Sequence, residues 1–218
     1  MVKVGIIDSG LPASYGFPVL AAEDFTNTAS TIDQLGHGTA ITNIIGGNTS
    51  VEIVCARVFH DKLVCSPAQI AEAIQWLISM NVNLINMSFG LRNDRSVLRD
   101  SCELALANKI IVVAAAPSQG EPVYPSNYNG MIRATGDARC QQGQISWLNS
   151  SQADFGGYSG KPHCGPAGAS IGCASVTASI TQIKAQNPHY DQDAIMQSLR
   201  QKSSYQGSQA NSKSRVLL

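Results

Sequence analysis

The stretch Val2-Lys3-Val4-Gly5-Ile6-Ile7-Asp8-Ser9-Gly10 decides how the rest of the chain is read. Val2 to Ile7 is a short apolar run, the pattern of a strand buried on both faces of a parallel sheet. Asp8 stands at its carboxyl end, and Gly10-Leu11-Pro12 breaks it. A parallel strand needs a long crossover, usually a helix, to reach its neighbour. Such alternation continues downstream. Thr39 to Ile45 follows a Gly-His-Gly turn and reads as a helix, and Val51 to Phe59 as a strand. Pro67 to Met80 is a helix with proline at its start and Ile70, Ile74, Leu77 and Ile78 on one face. Asn83 to Ser88 is a strand, Ser96 to Asn108 a helix, and Ile110 to Ala115 a strand. At least three β-α-β steps predict an α/β fold with a doubly wound, mostly parallel sheet and helices on both faces.

The second half is looser. Residues 119 to 129 are rich in Gly, Pro and Ser and read as a loop; Met131 to Gly136 reads as a strand. Residues 137 to 168 are polar and glycine-rich, with short strands at most. Ser170 to Ala185 and Asp191 to Gln201 read as helices, and the tail from Lys202 is rich in Ser and Gln before Val216-Leu217-Leu218. No repeat or low-complexity linker divides the chain, so residues 1–218 are read as one domain.

Fifteen basic residues balance fifteen acidic ones, which gives no electrostatic footprint for nucleic acid or an anionic membrane. No apolar run has the length of a membrane span. The opening reads as a strand, not as a secretory signal, so a cytoplasmic setting is expected. The six cysteines, Cys55, Cys65, Cys102, Cys140, Cys164 and Cys173, form no C-x-x-C pair. Zinc is therefore not expected, nor any other metal or cofactor, and free thiols suit a reducing compartment. Cys55 reads as plain core.

Three short segments carry chemistry. Asp8 ends a buried strand, where α/β sheets place functional groups, though an Asp opening a turn is equally ordinary. His37, in Gly36-His37-Gly38-Thr39, has backbone freedom on both sides. His60, His163 and His189 lack that setting and read as surface or loop residues. Ser170, in Gly168-Ala169-Ser170-Ile171-Gly172, opens an apolar helix. A serine there is usually a cap, but a nucleophile would gain from the positive end of the helix. A serine hydroxyl attacks only when a base takes its proton, and the base needs a third group to fix its tautomer. Asp, His, Ser is one of the chain orders in which such triads occur.

With these segments in view, the sequence resembles the subtilases over nearly its whole length. Val4 to Gly10 is similar to the family's Asp motif, and Gly36 to Thr39 to its His motif. Ile85-Asn86-Met87-Ser88-Phe89-Gly90 is similar to the strand lining the substrate cleft, and Ile111 to Ala116 to the strand before the oxyanion loop. Tyr124-Pro125 resembles a Tyr-Pro near the floor of the specificity pocket, which implies a cis bond. Counting back from Asn187-Pro188 places Ser170 on the nucleophile. Ser175, the competing serine, falls inside the helix. The resemblance implies a catalytic triad of Asp8, His37 and Ser170. It implies a pocket walled by Ser88, Phe89 and Gly90 and by Ala114, Ala115 and Ala116, with Gln119 and Val123 near its base. No carboxylate stands at those positions, so a basic residue before the cleaved bond is not expected. Both walls are expected to offer backbone groups to an extended peptide.

The chain departs from the family at the oxyanion loop. Ala115-Ala116-Pro117-Ser118 stands where the family has Ala-Ala-Gly-Asn. The donors left are Ser118 and the backbone N–H of Ser170, because Ala169 replaces a threonine. Losing one such donor costs about 3–4 kcal/mol of transition-state stabilisation. Several loops are short, no calcium loop is recognisable, and no prodomain is expected before Met1. These features favour a serine endopeptidase of narrow specificity, such as one processing a precursor or leader peptide, acting on peptide or protein substrates. A peptide-binding or scaffold protein with impaired catalysis is the alternative, and acyl transfer to an amine is a third chemistry open to the same serine.

Overall fold

A computed structural model describes residues 1–47, 50–161 and 165–208. His163, Cys164 and the terminal Val216-Leu217-Leu218 lie outside the described residues. The elements run β1 (Val2–Asp8), β2 (Val19–Asp24), α1 (His37–Gly46), β3 (Val51–Arg57), α2 (Pro67–Ser79), β4 (Leu84–Met87), α3 (Ser96–Ala107) and β5 (Ile111–Ala115). They continue with β6 (Ile132–Gly136), β7 (Ile145–Trp147), β8 (Phe155–Gly157), α4 (Ala169–Gln186), α5 (Gln192–Lys202) and β9 (Tyr205–Gln206). The nine strands form one sheet in the order β2-β3-β1-β4-β5-β6-β8-β7-β9. Every pairing is parallel except β7 with β8.

The expected α/β sheet with helices on both faces is what the chain forms. Successive strand residues point to opposite faces. Val4 and Ile6 of β1, Ile53 of β3 and Val113 of β5 face a core shared with Ile41 and Ile45 of α1 and Val176 and Ile180 of α4. Ile7, Val54 and Val112 face the other core, with Ile70, Ile74 and Leu77 of α2 and Leu98 of α3. Fully burying one such side chain stabilises the fold by about 1.5–3 kcal/mol, before chain entropy is counted.

Two strands were not legible. β2 is a half-exposed edge strand whose residues never alternate cleanly between core and solvent. β9 is two residues long and pairs only with β7. Helix α1 also begins two residues before the expected Thr39, so His37 itself is its first residue.

The topology fixes where a site belongs. β1 lies between β3, which continues the sheet one way, and β4, which continues it the other. In open α/β sheets the crevice at such a switch point, outside the carboxyl ends of the strands, is where ligands bind. Asp8 ends β1 and Ser88 follows β4 at that crevice.

Candidate active site

Asp8 is fully buried at the end of β1, and His37 is almost so at the start of α1. Two glycines flank the histidine. Gly36 has φ of 76°, in the left-handed region. A Cβ on Gly38 would lie 2.4 Å from the carbonyl oxygen of Gly10, so only glycine lets the two motifs touch. Asp8 Oδ1 and His37 Nδ1 are 2.7 Å apart. A carboxylate only accepts, so Nδ1 carries the proton and Nε2 presents a lone pair. Oδ1 also accepts from the Ser9 N–H at 2.7 Å. Oδ2 is buried with no hydrogen bond among the described residues. A buried charge with an unserved oxygen is best stabilised by a cation beside it, which is what a protonated His37 would be.

Burial works against a charged His37, but the hydrogen bond and charge of Asp8 and the charge of Asp33 outweigh it and raise its pKa above the ordinary value. Asp33 is a residue the sequence reading missed. It accepts from the Ser9 hydroxyl at 2.8 Å, the Leu35 N–H at 2.8 Å and the Thr39 N–H at 2.7 Å. Ser9 Oγ in turn accepts from the Gly38 N–H at 2.8 Å. Asp33 thus braces the backbone on both sides of the imidazole. Against the opposing effect of burial, the donors from Thr39, Leu35 and Ser9 lower its pKa. The missed signal was local: an Asp four residues before a Gly-flanked His.

Arg57, at the end of β3, was also missed, and it is fully buried. Its Nε donates to Ser9 O at 3.1 Å. Its Nη atoms reach Ser30 O at 2.8 Å, Thr28, Asp24 and His60. His60, expected to be a surface or loop residue, is half-buried and engaged by this guanidinium at 3.0 Å. Asp24 is held down to about 2: burial opposes this, and the hydroxyl and N–H donors of Thr26 and Thr28 outweigh it. An arginine closing a strand that is apolar but for Glu52 was the available signal.

Ser170 is the second residue of α4. Its hydroxyl donates to Ser88 O at 2.7 Å, and Ser88 Oγ donates back to Ser170 O at 3.1 Å. Among the described residues Ser170 Oγ makes no hydrogen bond to His37. Asn86 Nδ2 donates to Ser88 Oγ at 2.9 Å, and its Oδ1 accepts from Thr177 at 2.9 Å. This clasp ties the first three turns of α4 to β4 and the residues just after it. Cys173, one turn on, is pushed up to about 12 chiefly by burial and stays a thiol. Ser175 spends its hydroxyl on Tyr158 O and Ile171 O inside the helix.

The expected substrate wall follows directly from this clasp. Ser88 is buried, and Phe89 packs edge-on against Phe59, centroids 5.5 Å apart. Gly90 lies against Val123, and Leu91 pairs with Tyr124 as an antiparallel bridge. The Tyr124–Pro125 bond is cis, as expected. Ala115 and Ala116 are buried, and the Ala116 N–H is already given to Ala134 O at 2.8 Å. Ser118 and Gln119 are exposed and line a cleft of about 460 Å³ with Thr135, Gly136, Asp137 and Ser159. Ser159 O accepts from the Gly168 N–H at 2.7 Å, which joins that cleft to the start of α4. Among the described residues no group of three or more His, Cys, Asp or Glu could hold a metal ion. No helix among them is long and apolar enough to cross a membrane.

The chain is similar to known proteases in sequence and in fold. A "Thermostable alkaline protease" of Halalkalibacterium halodurans is 24% identical over 94% of this chain and 63% of its own length. Subtilisin DY of Bacillus licheniformis is 30% identical over 60% of this chain and 54% of its own. The matched regions therefore span less than two thirds of these curated relatives. Among solved structures, a protease of Pseudoalteromonas arctica superposes with TM-score 0.72 at 17% identity, covering 95% of this chain and 87% of that one. The prenylagaramide maturation protease PagA superposes with TM-score 0.63 at 17% identity, covering 87% and 78%. The family model described as "Peptidase_S8: Subtilase family" matches residues 1–215, and the chain belongs to the subtilase family of serine peptidases.

Proposed function

We propose that residues 1–218 act as a serine endopeptidase of narrow specificity, with Asp8, His37 and Ser170 as its triad. The observation that carries this reading is the buried 2.7 Å bond from His37 Nδ1 to Asp8, which leaves Nε2 free to act as a base. Turning the Ser170 side chain from Ser88 O to Nε2 readies it for attack. His37 takes the Ser170 proton as Oγ bonds to the peptide carbonyl carbon, whose π pair moves to its oxygen. The Ser170 N–H and Ser118 are the donors proposed to meet that oxyanion. When the C–N bond breaks, the proton on Nε2 goes to the departing amine. Water, deprotonated by His37 in the same way, then releases the acid and restores Ser170.

Narrow specificity is supported by Ser118, which lacks the amide donor of the family's loop and so demands well-oriented substrates. Precursor or leader-peptide processing is the task we assign, in keeping with the maturation protease that shares the fold. A cytoplasmic setting fits the five described cysteines, all free. The test is labelling with a fluorophosphonate, followed by peptide mapping. One adduct on Ser170, absent from Ser170→Ala and His37→Ala, is expected. A folded protein that stays unlabelled would refute the reading in favour of peptide binding without turnover.

A further inference from the structure

At the opposite end of the sheet from the proposed triad, by the amino end of β5, a cleft of about 500 Å³ opens between the end of α3, the end of α4 and the start of α5. It takes no residue from the triad, the Ser88 wall or the Ser118 loop. Its size is that of ordinary small-molecule sites, which combine an apolar lining with a few polar groups. The floor is apolar: Ile110 and Ile111 are each 4% exposed, and Leu106 lies beside them. His189 and Tyr190 form an aromatic wall, their rings edge to face with centroids 5.3 Å apart. Gln192 Nε2 donates to Gly130 O at 2.8 Å and so pins the start of α5 to the loop before β6.

Two lysines complete the lining, and neither makes an ion pair among the described residues. Lys184, in the last turn of α4, is half-buried, and its ammonium is held by one main-chain oxygen, Tyr190 O, at 2.5 Å. Lys109 is exposed, with φ of 60° in the turn from α3 into β5. The one carboxylate in the lining, Asp191, accepts from the Ala194 N–H at 3.0 Å as the cap of α5. A half-buried ammonium that meets only a neutral oxygen is stabilised by an added anion.

We infer that this cleft is a binding site for a small aromatic carboxylate. The ring covers Ile110 and Ile111 and meets the His189–Tyr190 wall. The carboxylate accepts from Lys109 and from Lys184, whose ammonium has two protons left after serving Tyr190 O. A neutral ring gains the apolar floor alone, and a cation meets two like charges. The inference goes beyond the peptidase reading and does not rest on it, since Lys184 and Ser170 lie roughly 20 Å apart along α4.

Isothermal titration calorimetry compares naphthoate, naphthalenemethanol and naphthylmethylamine, which share a ring system and differ in charge. The carboxylate should bind about three- to tenfold more tightly than the alcohol, with the amine weakest. Added salt should narrow the gap. In heteronuclear NMR, naphthoate should shift the backbone amides of residues 106–111 and 184–192 and leave those around Ser170 in place. Lys184→Gln with Lys109→Asn should erase the carboxylate's advantage and leave the alcohol's affinity unchanged. Gln keeps a donor for Tyr190 O, and Asn accepts the left-handed backbone. If the double variant does not fold, Lys109→Asn alone should still reduce the advantage. Equal binding of acid and alcohol, an advantage that these variants leave intact, or shifts confined to other surfaces would overturn the inference. Fluorophosphonate labelling reads the peptidase proposal separately: a folded protein that binds naphthoate as expected but stays unlabelled refutes that proposal and upholds this site.

Discussion

Replacing Asp33 by Asn separates two functions of one side chain. The carboxylate accepts from Ser9 Oγ and Leu35 N on one oxygen and from Thr39 N on the other. Asparagine keeps the size but turns one acceptor into an NH2 donor. With that NH2 toward Thr39, the Thr39 N–H faces a donor. With it on the other side, the Leu35 N–H does, although Ser9 can then accept from the amide and turn its proton to Asp8, 3.2 Å away. One half-buried backbone N–H loses its partner either way, which costs about 1–3 kcal/mol. The second effect is electrostatic. The Asp33 charge is one of the causes that raise the His37 pKa, so Asp33→Asn lowers it. The proposed mechanism needs neutral His37, so the acid limb of kcat/KM, or of the labelling rate, should move to lower pH. Linkage gives the same sign. A raised folded pKa stabilises the protein fully below the unfolded histidine value of about 6.5 and loses that contribution as pH rises through the folded one. The variant should show less of this pH-dependent change. Urea unfolding at neutral pH and a pH–rate profile are the assays. Unchanged stability together with an acid limb that stays put, or moves to higher pH, would refute the brace.

Two further perturbations probe other parts of the site. Ser118→Asn should raise kcat about tenfold with KM nearly unchanged, because the new amide serves only the developing oxyanion; no gain in a folded variant would mean that another group already fills that role. Arg57→Met should cost about 3–5 kcal/mol in urea unfolding, since it leaves Asp24 without its cation and Ser9 O and Ser30 O without their donor; a loss below about 1 kcal/mol would show that the loop from Asp24 to Ser30 holds itself.

The central sheet was legible because β1, β3, β4 and β5 are apolar on both faces, and that pattern is written in the residues themselves. β2 and β9 were not, because an edge strand is defined by the partner it meets more than by its own periodicity. Among the site residues, Asp8 and His37 announced themselves through strand end and flanking glycines. Asp33 and Arg57 did not. Their roles arise from bonds to backbone groups of distant segments, and no spacing rule encodes which N–H or carbonyl a side chain will find. The reciprocal clasp of Ser88 and Ser170 is of the same kind: Asn86 and Ser88 were visible as a cleft motif, but their grip on the start of α4 needed the fold.

That grip bears on when the chain becomes reactive. Asp8 and His37 emerge early during synthesis, while Ser170 sits on a helix that docks against β4, β5, β6 and β8. Contacts between such remote parts of a chain form late, after the costly closure of long loops. A ribosome-bound fragment that ends short of α4 carries the proposed base and its carboxylate but not the proposed nucleophile. If the proposed triad is the catalytic one, hydrolytic competence comes only with the docking of α4, and a half-made molecule has no means to cut its neighbours or itself.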